Sequence, residues 1–312
     1  MGIKSKFIHL GNFQHLIGLV TPDLFDVFEN GLKSWNADTK IPERIIAHNR
    51  QNPITTPAEF AKDFVGITRN DNGFGAGFYV TPNGSHGKDT LMAFNMTPPD
   101  VEKETQIECS LRYLLKGAKS LAGKYTVYLH TIICPDQAFT YYGITRRPPY
   151  ERMREHFAAA KSGSQLLFHR AIREYYPKAR KMQHTIISSG LTEEMAYDAE
   201  EYLVDKYSLY PNHLTGLNMI PGGLEGIRQL HKLGVLAPRQ EIEPDGRETA
   251  LAQYLENHPR KGVPNPLISE KWQDDEFAEA VICGAENRLS AQQVRQIRAL
   301  YASRTGCSWC RR

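Results

Sequence analysis

The pattern of apolar and polar positions is most regular in the middle of the chain, between residues 125 and 223. Alternating runs rich in aromatic and β-branched residues predict strands, and longer runs with a spacing of three to four predict helices. The predicted strands are 125–132, 138–144 and 182–188, and the predicted helices are 149–161, 164–176 and 192–207. This order predicts an α+β domain in which a small mixed sheet is covered by helices.

Local signals support the predicted helix ends. Pro148 and Pro149 suit the start of the first helix, because proline at the first helical position loses no backbone hydrogen bond. Ser164 and Thr192 precede the second and third helices, where a side-chain oxygen can cap a free backbone N–H.

The segments on either side of this core have a different character. We predict an α/β N-terminal accessory domain of unknown role over residues 1–120 and a central domain over 121–223. Pro-rich and charged sequence over 224–266 predicts a linker with short helices. Residues 267–312 predict a basic helical arm, whose last helix starts at the capping-box sequence Ser290–Gln293.

Composition is ordinary for a soluble globular protein, with 41% hydrophobic and 23% charged residues. No apolar run approaches the roughly 18 residues that a membrane span needs, so no membrane partner is expected. The start of the chain has no signal-peptide core, and five cysteines are too few for a secreted disulfide framework. We therefore expect a cytoplasmic protein.

Positive charge is concentrated in two places, although the formal net charge is only +3. Residues 141–181 carry ten Lys or Arg against three Glu, and residues 288–312 carry six Arg and no acid. Such concentration is typical of a protein that binds a polyanion such as DNA. Solvated helix faces are the alternative explanation, which the sequence leaves open.

Residues whose side chains could take part in catalysis follow one another in a particular order. Tyr128 and Tyr141 lie on the first two predicted strands, and Arg152 and His156 share one face of the next helix. Glu200 follows on the last helix.

The chain then reaches Asn218 and the pair Gly222–Gly223. This order resembles the GIY-YIG nuclease family, with Thr126–Tyr128 in place of its first motif and Tyr141–Gly143 in place of its second. The sequence departs from the family at Thr126 and at two positions in or beside the second motif, Tyr142 and Ile144.

The resemblance implies a domain with a small three-stranded mixed sheet flanked by helices. It implies a metal-dependent DNA endonuclease, and the basic C-terminal arm favours a homing or mobile-element enzyme. A restriction or repair nuclease and a catalytically inactive DNA-binding module are the alternatives. Mg²⁺, or Mn²⁺, is the expected cofactor, DNA is the expected partner, and no small-molecule cofactor is expected. The oligomeric state is left open.

Roles follow from the chemistry of phosphodiester hydrolysis. Arg152 offers a permanent charge to the phosphate, and Glu200 offers a carboxylate to the metal, with its neighbour Glu201 as the rival. Tyr128, with Tyr141 beside it, is the candidate general base, which requires its pKa to be lowered.

Two further residues are expected to support the site. His156 is expected to orient a tyrosine or contact phosphate, and Asn218 is expected to tighten the active-site loop. His169 and His184 lack metal-ligand spacing, so we interpret them as core or surface histidines.

Further basic residues are candidates for contacts with nucleic acid: Arg146, Arg147, Arg154, Arg295 and Arg298. Two weaker patterns lie outside the central domain. Gln106–Glu108 faintly resembles an element of mono-ADP-ribosyltransferases, and Cys307 with Cys310 forms half of a zinc site at best.

Overall fold

The computed structural model of the chain describes residues 5–18, 25–26, 28–33, 43, 46–47, 50, 80–82, 90–96, 105–258, 274–283 and 288–304. The pair Cys307 and Cys310 lies outside these residues. The chain divides into two compact units, Met1–His258 and Pro259–Arg312.

One mixed sheet organises the described part of the first unit. Its strands are β1 (Val80–Pro82), β2 (Thr90–Met96), β3 (Thr105–Ser110), β4 (Tyr125–Ile133), β5 (Ala138–Thr145) and β6 (Lys181–Leu191). Their order across the sheet is β1-β2-β3-β6-β4-β5. Neighbouring strands are antiparallel except for β3 and β6, which run parallel.

The three strands predicted for the central domain are confirmed as β4, β5 and β6, but the sheet continues beyond them. Strand β3 pairs with the other edge of β6, so that Thr105–Glu108 lies opposite Met182–Thr185. Side chains reinforce this pairing, because Lys181 donates a hydrogen bond to Gln106 and the Thr185 hydroxyl donates to Glu108. Gln106 and Glu108, which belong to the transferase-like pattern in the sequence, therefore help to hold β3 against β6.

The helices cover this sheet. Those of the first unit that the structure describes over their full length are α1 (Leu10–Ile17), α2 (Leu111–Leu114), α3 (Pro149–Lys161), α4 (Leu167–Tyr175), α5 (Glu193–Tyr207), α6 (Gly223–Lys232) and α7 (Pro244–Asn257). A short 3₁₀ helix, Tyr176–Lys178, follows α4.

Helix ends follow the local sequence, with one exception. Pro149 is the first residue of α3, and the hydroxyl of Thr192 caps α5 by accepting the backbone N–H of Met195 at 3.3 Å. Helix α4 begins at Leu167 and not at the predicted Ser164. The Ser164 hydroxyl lies 2.8 Å from Nδ1 of His169 and accepts the backbone N–H of Leu166 only at 3.5 Å, and Leu166 is the N-cap.

Aromatic residues of the site belong to the apolar core. Helices α3 and α4 pack on β4 and β5 through a cluster that includes Tyr128, Phe139, Tyr141, Phe168 and Ile172. Close packing of these rings limits their rotamers. The core therefore fixes the positions of both tyrosines.

The second unit contains α8 (Asp275–Cys283) and α9 (Ala291–Arg304). The predicted capping box is confirmed at the start of α9. The Ser290 hydroxyl accepts the Gln293 N–H at 3.3 Å, and the Gln293 side chain accepts the Ser290 N–H at 2.8 Å. Among the described helices of both units, none is long and apolar enough to cross a membrane.

Candidate active site

Arg152 is a buried cation held by carboxylates from two distant parts of the chain. It lies one turn into α3 and is 7% exposed. Its Nη1 donates to Glu155 at 2.9 Å, its Nη2 donates to Glu248, and its Nε lies 3.5 Å from Asp245 Oδ1. Burial by itself lowers the pKa of Arg152, but Tyr128 and Asp245 beside it raise the pKa above its ordinary value. The guanidinium therefore stays charged in a fixed position.

Tyr128 points into the core beneath the site. Its side chain is 1% exposed, and its hydroxyl is 3.1 Å from Nε2 of His156. The same hydroxyl packs against Gly143 on the neighbouring strand, where an added Cβ would come within 2.6 Å of it. Burial raises the pKa of Tyr128, which is the opposite of the lowering that a general base requires.

Tyr141 is the tyrosine that reaches the pocket. Its ring stacks on Phe168 with centroids 4.4 Å apart, and its hydroxyl donates to Glu248. The ring thus belongs to the core, while the hydroxyl faces the charged groups around Arg152.

A chain of polar contacts runs from Tyr128, behind the pocket, through His156 to His169, which lines the pocket, and on to Ser164. His156 Nδ1 lies 3.0 Å from His169 Nε2, and His169 Nδ1 lies 2.8 Å from the Ser164 hydroxyl. Burial, assisted by the charge of Arg152, lowers the pKa of His156 well below its ordinary value and that of His169 to about 4. Both imidazoles are therefore neutral at pH 7.

Glu200 projects from α5 towards the same pocket and is 5% exposed. Its Oε2 accepts the backbone N–H of Gly223 at 2.8 Å and Nη2 of Arg247 at 2.5 Å. The rival Glu201 instead accepts the backbone N–H of Glu225 at 3.2 Å. The register of α5 therefore favours Glu200 as the carboxylate of the site.

Asn218 connects the loop after α5 to strand β5. Its Oδ1 accepts the backbone N–H of Tyr142 at 3.0 Å, and its Nδ2 donates to the Tyr142 carbonyl at 2.8 Å. The Ser208 hydroxyl donates to the same Oδ1 at 2.6 Å. These bonds hold the loop at the pocket, consistent with the tightening expected from the sequence.

Four of the six predicted catalytic residues line one pocket: Tyr141, Arg152, Glu200 and Asn218. The other two, Tyr128 and His156, lie behind it. The cavity volume of this pocket is about 50 Å³, which is room for a few water molecules.

Sequence reasoning missed three charged residues on the first turns of α7. Arg247 and Glu248 line the pocket, and Asp245 accepts a hydrogen bond from Nε of Arg147 at 3.0 Å. Burial raises the pKa of Glu248, while the hydrogen bond from the Arg152 guanidinium favours its ionised form. These residues lie in the predicted linker, about a hundred positions from Arg152, and no local pattern marks them.

Two groups of side chains at or near the pocket could hold a metal ion. One buried carboxylate at the pocket, Glu200, suits Mg²⁺, which is usually held by one or two carboxylates together with water and phosphate. A second group, His156, His169 and Glu248, has ligand atoms within 4.8 Å of one another. In this group His156 Nδ1 and His169 Nε2 bond to each other, and Oε2 of Glu200 bonds to Arg247, so a metal at either place would replace an existing hydrogen bond.

The predicted DNA-contacting arginines are distributed over both units. Arg146 is exposed, with its guanidinium 5.5 Å from the Tyr125 ring centroid, and Arg154 is exposed on α3. Arg147 bonds to acidic side chains near the pocket. Arg295 and Arg298 are exposed on α9 in the second unit.

A charged guanidinium, a carboxylate and a phenol around one pocket are the groups that phosphodiester hydrolysis needs, as in nucleases. Residues 124–213 match the family model described as the GIY-YIG catalytic domain. The chain therefore carries a GIY-YIG domain of the nuclease superfamily, and the resemblance seen in the sequence is confirmed at this level. Searches of curated proteins and of solved structures returned no match.

Replacing Gly143 by alanine is expected to destabilise the fold by about 1–3 kcal/mol, because the new methyl group collides with the fixed Tyr128 ring. Urea unfolding measures the change. Gly11→Ala is the control, since the nearest atom to its Cβ, on the His9 ring, is 3.6 Å away. Equal stability of the two variants would contradict the close approach.

The lowered pKa of His169 makes stability depend on pH. Between its ordinary pKa of 6.5 and its folded value of about 4, the unfolded chain binds more protons, so this residue removes stability as the pH falls. In His169→Asn, the slope of unfolding free energy against pH over this window is expected to be shallower, by up to about 1.4 kcal/mol per pH unit. Urea titrations at several pH values measure it, and an unchanged slope would exclude a depressed pKa.

Proposed function

We propose that the chain is a metal-dependent DNA endonuclease that hydrolyses phosphodiester bonds at the pocket between α3, α5 and β5. One observation carries the proposal: Arg152 and Glu200, buried charges of opposite sign from separate helices, line the same pocket. Burial of such charges costs free energy that a fold does not need to spend on stability alone.

In this proposal, Arg152 stabilises the charge that develops on the scissile phosphate. Its position is set in advance by the carboxylates around it, so the cation does not have to be ordered during the reaction. A flat guanidinium can also donate two hydrogen bonds to one phosphate, which fixes the orientation of the phosphate.

Glu200 would hold the divalent cation, Mg²⁺ or Mn²⁺. When bound, such a cation supplies positive charge beside the phosphate and the departing oxygen. The backbone N–H of Gly223 orients the carboxylate by bonding to its Oε2 at 2.8 Å. Asn218 keeps the adjoining loop and strand in register.

Of the two tyrosines, Tyr141 is better suited to interact with the attacking water. Its hydroxyl lies at the pocket, whereas the hydroxyl of Tyr128 is buried and its pKa is raised. We assign Tyr128 the role of positioning His156 through their hydrogen bond. A neutral His156 beneath Tyr141, with ring centroids 5.5 Å apart, adds no positive charge that would repel the metal.

The biological class is inferred from the charge of the flanking sequence. Arg146, Arg147 and Arg154 lie on or just before α3, and α9 carries exposed Arg295 and Arg298. The sequence Leu289–Arg298 resembles the first helix of modules appended to homing endonucleases, which supports a homing or mobile-element enzyme. A restriction or repair nuclease shares the same chemistry, and free cysteines suit action in the cytoplasm.

Substitution of the two central charges tests the chemistry. Arg152→Gln and Glu200→Gln are each expected to lower the rate of Mg²⁺-dependent plasmid cleavage by at least about 100-fold while DNA binding is retained. Glu201→Gln, a matched loss of one charge on the adjacent residue, is expected to cleave normally. Supercoiled plasmid assays give the rate, and circular dichroism verifies folding.

Two results would contradict this assignment. Cleavage by folded Glu200→Gln at the unsubstituted rate would exclude its carboxylate from the reaction. DNA binding without cleavage in the unsubstituted protein, at any divalent cation tested, would favour the inactive DNA-binding module instead.

The basic helix α9 is tested by salt dependence. Arg295→Gln with Arg298→Gln is expected to weaken binding on all DNA sequences alike and to lower the slope of log affinity against log salt by about 2. Fluorescence anisotropy on a labelled duplex measures it. The control Arg228→Gln with Lys232→Gln removes an equal charge from α6, where both residues pair with Glu225. Identical slopes for the two variants would exclude phosphate contacts by α9.

A further inference from the structure

The first turns of α7 form one wall of the pocket that the proposed function assigns to DNA and metal. This segment, Pro244–Glu248, is called the plug below. Its carboxylates Asp245 and Glu248 face Arg152, and its Arg247 faces Glu200. Both charges that the reaction needs are thus already engaged by one short stretch of the same chain.

The charged groups of the plug have the same signs as the ligands in the proposed function, which are a phosphate and a metal cation. Anionic groups lie where a phosphate would meet Arg152, and the Arg247 guanidinium bonds to Glu200 Oε2 where a cation would be held. The Glu248 side chain also accepts a hydrogen bond from the hydroxyl of Tyr141.

We propose that the plug is an intramolecular mimic of phosphate and metal that closes the active site, and that it must leave the pocket before DNA can be bound and cut. This inference rests on the proposed function. It identifies α7 as an inhibitory element, in addition to the catalytic groups.

The fit of the plug is incomplete. Arg152 Nε and Asp245 Oδ1 are both buried and lie 3.5 Å apart, so that they form an ion pair without a close hydrogen bond between them. A buried donor without a close hydrogen bond costs free energy. A phosphate that accepts a hydrogen bond from Nε would recover this free energy on binding. The plug is therefore a ligand that a better one can displace.

The attachment of α7 also permits displacement. Its buried residues are Pro244, Arg247, Leu251 and Leu255, so only two large apolar side chains anchor a helix of 14 residues. The preceding residues, 233–243, contain no helix or strand. Apart from its charge pairs, α7 is therefore held by few apolar contacts.

Neutralising the two carboxylates of the plug tests the inference. Asp245→Asn with Glu248→Gln keeps the shape of the side chains but removes their charge, so the open state becomes more populated. A shift of the open fraction from one tenth to nearly all would tighten the apparent Kd for a labelled DNA duplex by about tenfold and raise cleavage at subsaturating DNA equally. The control Glu241→Gln with Glu256→Gln changes net charge by the same amount at exposed positions.

Each outcome of this experiment either supports or overturns a stated claim. Tighter binding and faster cleavage in the plug variant, beyond the control, would support the inference. Slower cleavage with unchanged binding would overturn it and make these carboxylates part of the catalytic machinery. Behaviour equal to the control would overturn it as well. Failure of every form, including the unsubstituted chain, to bind or cut DNA would instead overturn the proposed function from which the inference starts.

A second measurement needs no substitution, and so does not depend on the variant folding. Amide hydrogen exchange is followed in the full chain with and without a phosphorothioate-substituted duplex and Mg²⁺. Faster exchange in residues 244–257 on DNA binding, with α5 unchanged, supports displacement of the plug. Bound DNA with unchanged or slower exchange in α7 would overturn it.

Discussion

The buried charge of Arg152 is the constraint on which the rest of the site depends. A guanidinium cannot lose its proton inside the protein, so it must be paired wherever the fold buries it. Glu155 supplies one carboxylate from the same helix, three residues away, and is not enough alone. Asp245 and Glu248 supply the others, which brings α7 across the pocket.

This requirement links groups that the chain keeps far apart. Arg247 lies on α7 beside these carboxylates and pairs with Glu200 on α5. Tyr141 joins the same network through Glu248. Strand β5 and helices α3, α5 and α7 are therefore coupled electrostatically as well as by packing, and a change at one charge alters the partners of the others.

Parts of this architecture were predictable because short-range signals determine them. Alternating residues indicated β4, β5 and β6, prolines indicated the start of α3, and Thr192 indicated the start of α5. The ordered motifs of the family then identified four residues that do line one pocket. In each case, the decisive atoms lie within one strand, one turn or one helix.

Other parts were not predictable because they depend on contacts across the chain. Nothing local in Thr105–Ser110 shows that it pairs with β6, so a three-stranded sheet was expected where six strands are described. The burial of Tyr128 depends on Gly143 and on helix packing, and its raised pKa follows from that environment. The role of α7 depends on partners about a hundred residues away.

The parallel pairing of β3 with β6 limits how the central domain can be separated from the rest of the chain. An open strand edge is a template for aggregation, and β3 covers that edge of β6. A nuclease fragment excised at residue 121 would leave the backbone of β6 unpaired along this side. Recombination that transplants this catalytic core into another protein would therefore have to carry β3 with it or supply a replacement strand.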